Sequence, residues 1–97
     1  DPGLRPTAVF AVSDTLAIGA LGQARRLGLS VPSDLAVVGF DDIDFASQTD
    51  PALTTVRQPM DEMGYQAGQL LIARLRGKSA SVTSLVLRHE LQIRASS

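Results

Sequence analysis

The chain has 97 residues, 44% of them hydrophobic and 20% charged, and its formal net charge at pH 7 is -1. This composition predicts one folded domain at most, or a piece of one, and favours neither a disordered nor a fibrous protein. The absence of cysteine excludes disulfides and thiolate metal sites. No apolar run approaches the roughly 18 residues of a membrane helix, and no basic stripe forms the groove that nucleic acids require.

The first half of the chain predicts a strand, a helix and a second strand. The apolar run Ala8–Val12 is typical of a parallel strand that is covered on both faces. Ser13 offers an N-cap for a helix over residues 14–27, and Gly28 stands where a left-handed C-terminal residue is wanted. The second apolar run, Leu35–Phe40, completes a βαβ unit, so we predict an α/β fold with a parallel sheet.

One face of the predicted helix is apolar and is expected to cover the sheet. Each residue of a helix is rotated by about 100° from the one before it, which places the following side chains on one arc: Leu16, Ala17, Ala20, Leu21, Ala24 and Leu27. Ile18 falls outside this arc, beside Gly22 on the helical wheel. Two interpretations stay open: a singly exposed isoleucine, which is common, or a place where the glycine lets another helix approach.

The second half of the chain predicts a long loop, a short strand, a second helix and two closing strands. The loop covers residues 41–53, and loops of that length are usually functional or flexible. The second helix has an apolar arc too wide for one lightly covered face, so we expect it to pack on several neighbours. The remaining elements are a strand at Thr54–Arg57, the helix at 60–76, a loop at 79–84, and strands at Leu85–Leu87 and Leu91–Ile93.

Polar residues follow both strands of the predicted βαβ unit. Ser13 and Asp14 follow the first strand, and Asp41 and Asp42 follow the second. Parallel strands end at one edge of the sheet, and open α/β sheets bind ligands there. A carboxylate at that edge suits two hydroxyls of a sugar or two N–H groups of a base. The alternative is that both aspartates simply end a strand in solvent. Adjacent side chains diverge, so only one of the two can face a ligand: the pattern slightly favours Asp41 as that residue, and for Asp42 it slightly favours a strand end in solvent, where the loop begins.

Catalytic and metal-binding chemistry finds little support in the sequence. Glycoside hydrolysis needs two acids that face each other about 5–10 Å apart, and sequence neighbours point apart. The only histidine, His89, is expected on a surface turn, and no nucleophile elbow occurs. The run Asp41–Asp44 superficially resembles a calcium loop but lacks its glycine and glutamate. No phosphate-binding glycine motif occurs, so we predict no enzyme, no metal and no cofactor.

Five ordered motifs resemble the C-terminal third of a lactose-repressor/galactose-repressor (LacI/GalR) family regulator. They are Asp14-x-x-Ala17-x-Gly19-Ala20, Val31-Pro32-x-Asp34, Val38-Gly39-Phe40-Asp41-Asp42, Pro51-x-Leu53-Thr54-Thr55-Val56-x-Gln58-Pro59 and Glu90-Leu91-x-x-Arg94. The resemblance covers nearly the whole chain. It implies a periplasmic-binding-protein-like (type I) fold of two α/β lobes with a small effector, a sugar or a purine-like molecule, between them.

The resemblance also implies a role for particular residues. Asp41, the first aspartate after Gly-Phe, would hydrogen-bond the effector, and Ser13 stands where the family frequently has a contributing Asn. Gln58, Met60 and Met63 would line the cleft where the chain crosses between the lobes. The homodimer interface would contain the first helix and the long loop, through Ile18, Leu21, Gly22 and Phe45.

The domain organisation follows from the same resemblance. Residues 1–97 would be the C-terminal part of the effector-binding domain, mostly its second lobe, with helix 60–76 packing on a first lobe that these residues lack. Operator DNA would be bound by an N-terminal helix-turn-helix that is also absent from them. The chain begins at Asp1 rather than Met, and we expect it to belong to a longer cytoplasmic regulator without membrane contact. The alternative is a periplasmic solute-binding protein of a transporter, which shares the fold.

Overall fold

The computed structural model describes residues 5–77 and 84–97, and the chain divides into two compact units. The first unit comprises Asp1–Arg57 with Glu90–Ser97, and the second comprises Gln58–His89. Most of the loop predicted at 79–84 lies outside the described residues. In chain order the elements are β1 (Ala8–Phe10), α1 (Asp14–Arg26), β2 (Ala36–Val38), a 3₁₀ helix (Asp44–Gln48), β3 (Thr55–Arg57), α2 (Met60–Leu75) and β4 (Glu90–Gln92).

The parallel βαβ unit is confirmed. β1 and β2 pair in parallel, with Ala8 opposite Ala36, and α1 connects them. The Oγ atom of Ser13 accepts a hydrogen bond from the backbone N–H of Leu16 at 3.2 Å, as an N-cap should. At the other end of the helix, Gly28 has a φ of 73°, the left-handed conformation that glycine adopts without steric cost.

A second, antiparallel sheet joins the end of β2. β3 pairs with β4, and the chain after β2 runs beside β3 through isolated parallel bridges. The N–H of Gly39 donates to the Thr54 carbonyl and the N–H of Asp41 to the Val56 carbonyl, each at 2.9 Å. Buried Ser96 adds a further link, because its Oγ donates to the Val37 carbonyl and accepts from the Thr54 N–H. The end of β2 is therefore held beside the start of β3, and the residues that follow β2 run beside β3 itself.

The core of the first unit is small and draws on the long loop as well as on α1 and β2. Its buried cluster consists of Ala17, Leu21, Val37, Ala46 and Leu53. Ala46 belongs to the 3₁₀ helix, and its carbonyl accepts a hydrogen bond from the Leu53 N–H at 2.8 Å. The loop predicted at 41–53 therefore contributes a helical turn and two core residues.

The apolar stripe predicted for α1 is only partly correct. Leu16 and Leu27 are 58% and 65% exposed, whereas Ile18, expected outside the stripe, packs partly against the core. The buried residues of the helix are Asp14, Ala17, Leu21 and Ala24, which recur every three to four residues along nearly its whole length. Leu16 and Leu27 lie outside this buried row.

Two strand predictions are wrong. The first is the covering of β1 on both faces, because Phe10 is exposed and the helix α1 packs on β2 instead. The apolar triplet Leu85–Leu87 forms no strand, and residues 84–89 have no regular structure. A strand requires a hydrogen-bonded partner, and in the C-terminal segment it is Glu90–Gln92 that finds one, in β3.

α2 makes up most of the described part of the second unit. It begins directly after Pro59, with Asp61 and Glu62 in its first turn, where negative charge complements the helix dipole. No residue of α2 is buried, and its large apolar side chains include Met60, Met63, Tyr65, Leu71, Ile72 and Leu75, all exposed. Within the described residues, no helix is long and apolar enough to cross a membrane.

Candidate functional site

The carboxyl ends of β1 and β2 carry a polar edge formed by Ser13, Asp14, Asp41 and Asp42. Asp14, the first residue of α1, has no exposed surface. Its Oδ1 accepts from the Thr55 hydroxyl at 2.5 Å, and its Oδ2 accepts from the Ile43 N–H at 2.8 Å. Its own N–H donates to the Phe40 carbonyl at 3.0 Å. Asp14 therefore binds protein groups on β3 and on the loop, and its role at the polar edge is structural.

Gly39 leaves room for the carboxylate of Asp14. A Cβ atom at position 39 would overlap Asp14 Oδ1, and it would lie 3.1 Å from Leu53 Cδ2 and 3.2 Å from Ala17 Cβ. These neighbours cannot easily move, because Leu53 and Ala17 belong to the core and the Asp14 carboxylate is held by its hydrogen bonds to Thr55 and Ile43. The close approach of the Asp14 carboxylate to β2 therefore requires glycine at this position.

The backbone changes direction abruptly at the two aspartates. Asp41 has a φ of 125° and Asp42 a φ of 57°, and they are the two non-glycine residues with positive φ in the described part of the chain. Such conformations are uncommon for residues with a Cβ atom and persist only where surrounding contacts impose them. Here the N–H of Asp41 donates to the Val56 carbonyl, and that of Asp42 donates to the Thr55 hydroxyl. The alternation of a regular strand, on which the expected divergence of these side chains depended, does not continue through them.

Asp42 is an ion-pair residue, so the expectation that it ends the strand in solvent is wrong. Its side chain is 5% exposed and lies between two guanidinium groups. Arg57 Nε donates to its Oδ2 at 2.6 Å, and Arg94 Nη1 donates to its Oδ1 at 2.9 Å. Burial by itself would raise the pKa of Asp42, but the hydrogen bonds and positive charges of Arg94 and Arg57 outweigh it and lower the pKa below its ordinary value.

Arg94 joins the polar edge through its ion pair with Asp42, a contact that the sequence does not predict. In the sequence it stands at the end of the fifth motif, and nothing in its spacing connects it with Asp42. The structure brings the two together because the segment after β4 returns beside β3, where Thr54 Oγ1 accepts from the Arg94 N–H at 2.8 Å. The sequence alone offers only a second acid after Gly-Phe and a basic residue in the closing segment, without a sign that the two pair.

The predicted ligand-binding residues lie in both units. Ser13 and Asp41 share the polar edge of the first unit, as parallel strands require, and both are partly buried. Gln58, Met60 and Met63 belong to the second unit, at the start of α2, where both methionines are exposed. Their joint role in binding stays a prediction.

The residues predicted at a dimer interface differ in exposure. Leu21 is buried in the core cluster, and Ile18 packs partly against it. Gly22 is exposed, and a Cβ atom there would meet nothing within 4 Å. Phe45, on the 3₁₀ helix, is 54% exposed. Of the four predicted residues, Gly22 and Phe45 are exposed and Ile18 is partly exposed, whereas Leu21 is buried; their role in a dimer interface stays a prediction.

Comparison with known proteins gives consistent matches over nearly the whole chain. Residues 1–97 match the family of periplasmic binding protein-like domains. The HTH-type transcriptional repressor CytR of Escherichia coli K12 is 48% identical over 91 residues, which are 94% of this chain and 27% of that protein. The chain thus spans about a quarter of the length of this relative.

Solved structures give the same picture. The transcriptional regulator CelR–cellobiose complex superposes with a TM-score of 0.87 at 41% identity, over 94% of this chain and 28% of that one. A LacI family transcriptional regulator from Lactobacillus casei with bound sucrose has a TM-score of 0.81 at 38% identity, over 100% of this chain and 35% of that one. The expected fold is therefore confirmed.

Proposed function

Because the chain belongs to the family of periplasmic binding protein-like domains, with LacI/GalR regulators as its relatives, we propose that it senses a small effector within a bacterial transcriptional regulator. The observation that carries this proposal is the similarity to a transcriptional repressor over 94% of the chain. In this proposal residues 1–97 are the C-terminal part of the effector-binding domain, mostly its second lobe. The transporter alternative has less support, since the relatives compared above are regulators.

The proposed effector contact is Asp41. It stands at the carboxyl end of a parallel strand, beside the N-cap Ser13, and a carboxylate accepts hydrogen bonds from two hydroxyl or N–H donors. Two related structures carry the disaccharides cellobiose and sucrose, which supports a sugar as effector, with a purine-like molecule as the second candidate. Gln58, Met60 and Met63 would add an amide and an apolar wall at the start of α2.

The complete regulator is proposed to be a cytoplasmic homodimer that binds operator DNA through an N-terminal helix-turn-helix. The dimer face in this chain would be Ile18, Gly22 and Phe45, and helix 60–76 would pack on the first lobe. An effector that binds one lobe orientation better than another shifts the population toward it, and the operator affinity changes with that shift. The chain itself is proposed to be neither an enzyme nor a cofactor-binding domain.

The test is a calorimetric titration of the complete regulator with a panel of mono- and disaccharides, nucleobases and nucleosides. We expect one class to bind and Asp41→Asn to weaken that binding by roughly tenfold or more, because a charge-assisted acceptor is lost. The control is Asp44→Asn, which removes the same charge from an exposed residue nearby. Equal binding by Asp41→Asn and wild type would show that the contact is misassigned, and a signal peptide encoded upstream would favour the transporter alternative.

A further inference from the structure

We propose that Asp42 is a positioning residue, which holds the backbone of Asp41 in the conformation that presents its carboxylate to the effector. The inference rests on the function proposed above, because it takes Asp41 as the effector contact. Asp42 itself is committed to Arg57 and Arg94, and its side chain is almost completely buried. It therefore acts on recognition through its neighbour rather than by touching the effector.

The first step is the backbone conformation. Asp41 and Asp42 have φ values of 125° and 57° in succession. An aspartate tolerates the left-handed helical region better than most residues, and Asp42 lies in that region. Asp41 lies outside it, in a conformation that persists only where surrounding contacts impose it. The direction of the Asp41 side chain therefore depends on what fixes the residues around it.

The second step is the set of contacts that fixes Asp42. Its backbone N–H donates to Thr55 Oγ1 at 3.3 Å, and its two carboxylate oxygens accept from Arg57 Nε and Arg94 Nη1. Arg94 is itself held, since the same Nη1 donates to the Leu53 carbonyl at 2.9 Å. Charge-assisted bonds of this kind are shorter and stronger than neutral ones. Asp42 is thus fixed at three atoms by groups from β3 and from the segment after β4.

The backbone is also fixed by hydrogen bonds on both sides of Asp42. The Ile43 N–H, immediately after Asp42, donates to Asp14 Oδ2 at 2.8 Å. The Asp41 N–H, immediately before, donates to the Val56 carbonyl at 2.9 Å. A change in the position of the Asp42 carboxylate must therefore be absorbed by the dihedral angles of residues 41–43. This transfers the change to the Asp41 side chain.

The variants separate charge from backbone preference. Asn at position 42 keeps the tolerance for positive φ but removes the anion between the two arginines. Arg57 is half exposed, so Arg57→Gln loosens Asp42 with less risk to folding, and Arg57→Lys keeps a cation beside it. The matched controls are Asp41→Asn, which removes the proposed contact itself, and Asp44→Asn.

The experiment measures two quantities on the complete regulator: amide hydrogen exchange of residues 41–43, and the dissociation constant for cellobiose, sucrose or whichever panel compound the wild type binds. We expect Asp42→Asn and Arg57→Gln to accelerate exchange and to weaken binding by roughly tenfold, with Arg57→Lys close to wild type. Asp41→Asn should weaken binding without accelerating exchange, and Asp44→Asn should change neither.

Three results would overturn the inference, each in a different way. If Asp41→Asn weakens binding but Asp42→Asn and Arg57→Gln bind like wild type, Asp42 does not position the contact, and the proposed function stands. If the latter two weaken binding without faster exchange, the effect is electrostatic and not positional. If Asp41→Asn itself binds like wild type, the effector contact is wrong and this inference fails with it. Should Asp42→Asn fail to fold, the Arg57 pair decides.

Discussion

Arg94 donates from one nitrogen, Nη1, to both Asp42 Oδ1 and the Leu53 carbonyl oxygen, each at 2.9 Å. One guanidinium group therefore connects the C-terminal segment to the polar edge and to a core residue of the long loop. Its side chain is 18% exposed, and that of Asp42 is 5% exposed, so little water competes for the pair. Without Arg94, the almost completely buried Asp42 carboxylate would have Arg57 as its remaining ion-pair partner, and the Leu53 carbonyl would lose the bond from Arg94.

Arg94→Ala is expected to lower the free energy of unfolding of the effector-binding domain by about 3 kcal/mol, since it removes the ion pair and the bond to Leu53. The control is Arg25→Ala, which breaks the exposed pair between Arg25 and Asp50 at 3.5 Å and should cost no more than about 0.5 kcal/mol. Urea denaturation of the complete regulator, followed by circular dichroism, gives both values. Equal midpoints for the two variants would contradict the assignment.

The acid stability of the domain should depend on Asp42. Folding lowers the pKa of its carboxyl from 3.8. The stabilisation that the ionised Asp42 contributes is therefore fully present above that value, and it is lost as the pH falls below it through the folded pKa. Asp42→Asn removes this contribution, and its stability should decline less steeply than that of wild type below about pH 4. Thermal melts from pH 7 to pH 2 measure the difference. Parallel pH profiles for the two proteins would show that the ion pairs of Asp42 contribute nothing to the pH dependence of stability.

Gly39→Ala is expected to destabilise the domain by about 2 kcal/mol, because the added Cβ overlaps the Asp14 carboxylate in a packed region. Asp14→Ala should cost about 2–3 kcal/mol through the hydrogen bonds lost to Thr55 and Ile43. In the double variant the overlap is absent. Its loss of unfolding free energy should therefore be smaller, by about 1 kcal/mol or more, than the sum of the losses in the two single variants.

The control for this cycle is Gly19→Ala, whose Cβ would meet nothing within 4 Å in the middle of α1. It should be neutral or stabilising by up to about 1 kcal/mol, since alanine is the better helix former. Strict additivity between positions 14 and 39 would mean that the two residues do not compete for one space.

Ile18→Glu is expected to weaken self-association of the complete regulator while leaving its circular dichroism spectrum close to that of wild type. The reason is that Ile18, which packs only partly against the core, lies beside exposed Gly22 in the proposed dimer face, where a buried carboxylate would be costly. Gln23→Glu on another face of the helix adds the same charge as a control. Sedimentation velocity decides, and unchanged dimers of Ile18→Glu would exclude this face.

Local signals in the sequence were sufficient for the βαβ unit. Ser13 and Gly28 mark the ends of α1, and the apolar runs locate β1 and β2, because capping and hydrophobic periodicity act over a few residues. The ordered motifs then identified the family. The strands are shorter than the runs that predicted them, since strand length is decided by the hydrogen-bonded partner.

The contacts of Asp42 could not be predicted in the same way. Its partners, Arg57 and Arg94, come from distant segments that meet only after the second sheet has formed. The contribution of Ala46 and Leu53 to the core also depends on how the long loop folds back. Positive φ at two successive aspartates follows from these tertiary contacts, and no local preference requires it.

The fit between Gly39 and Asp14 constrains how this sequence can diverge. A lineage that gained a side chain at position 39 would first need a shorter residue at position 14, and that first substitution loses the hydrogen bonds to Thr55 and Ile43. Each single-step route to a new pair therefore passes through a less stable ancestor. In the proposed site, the effector could change through substitutions at Asp41, while Gly39 and the buried Asp14 would be inherited together.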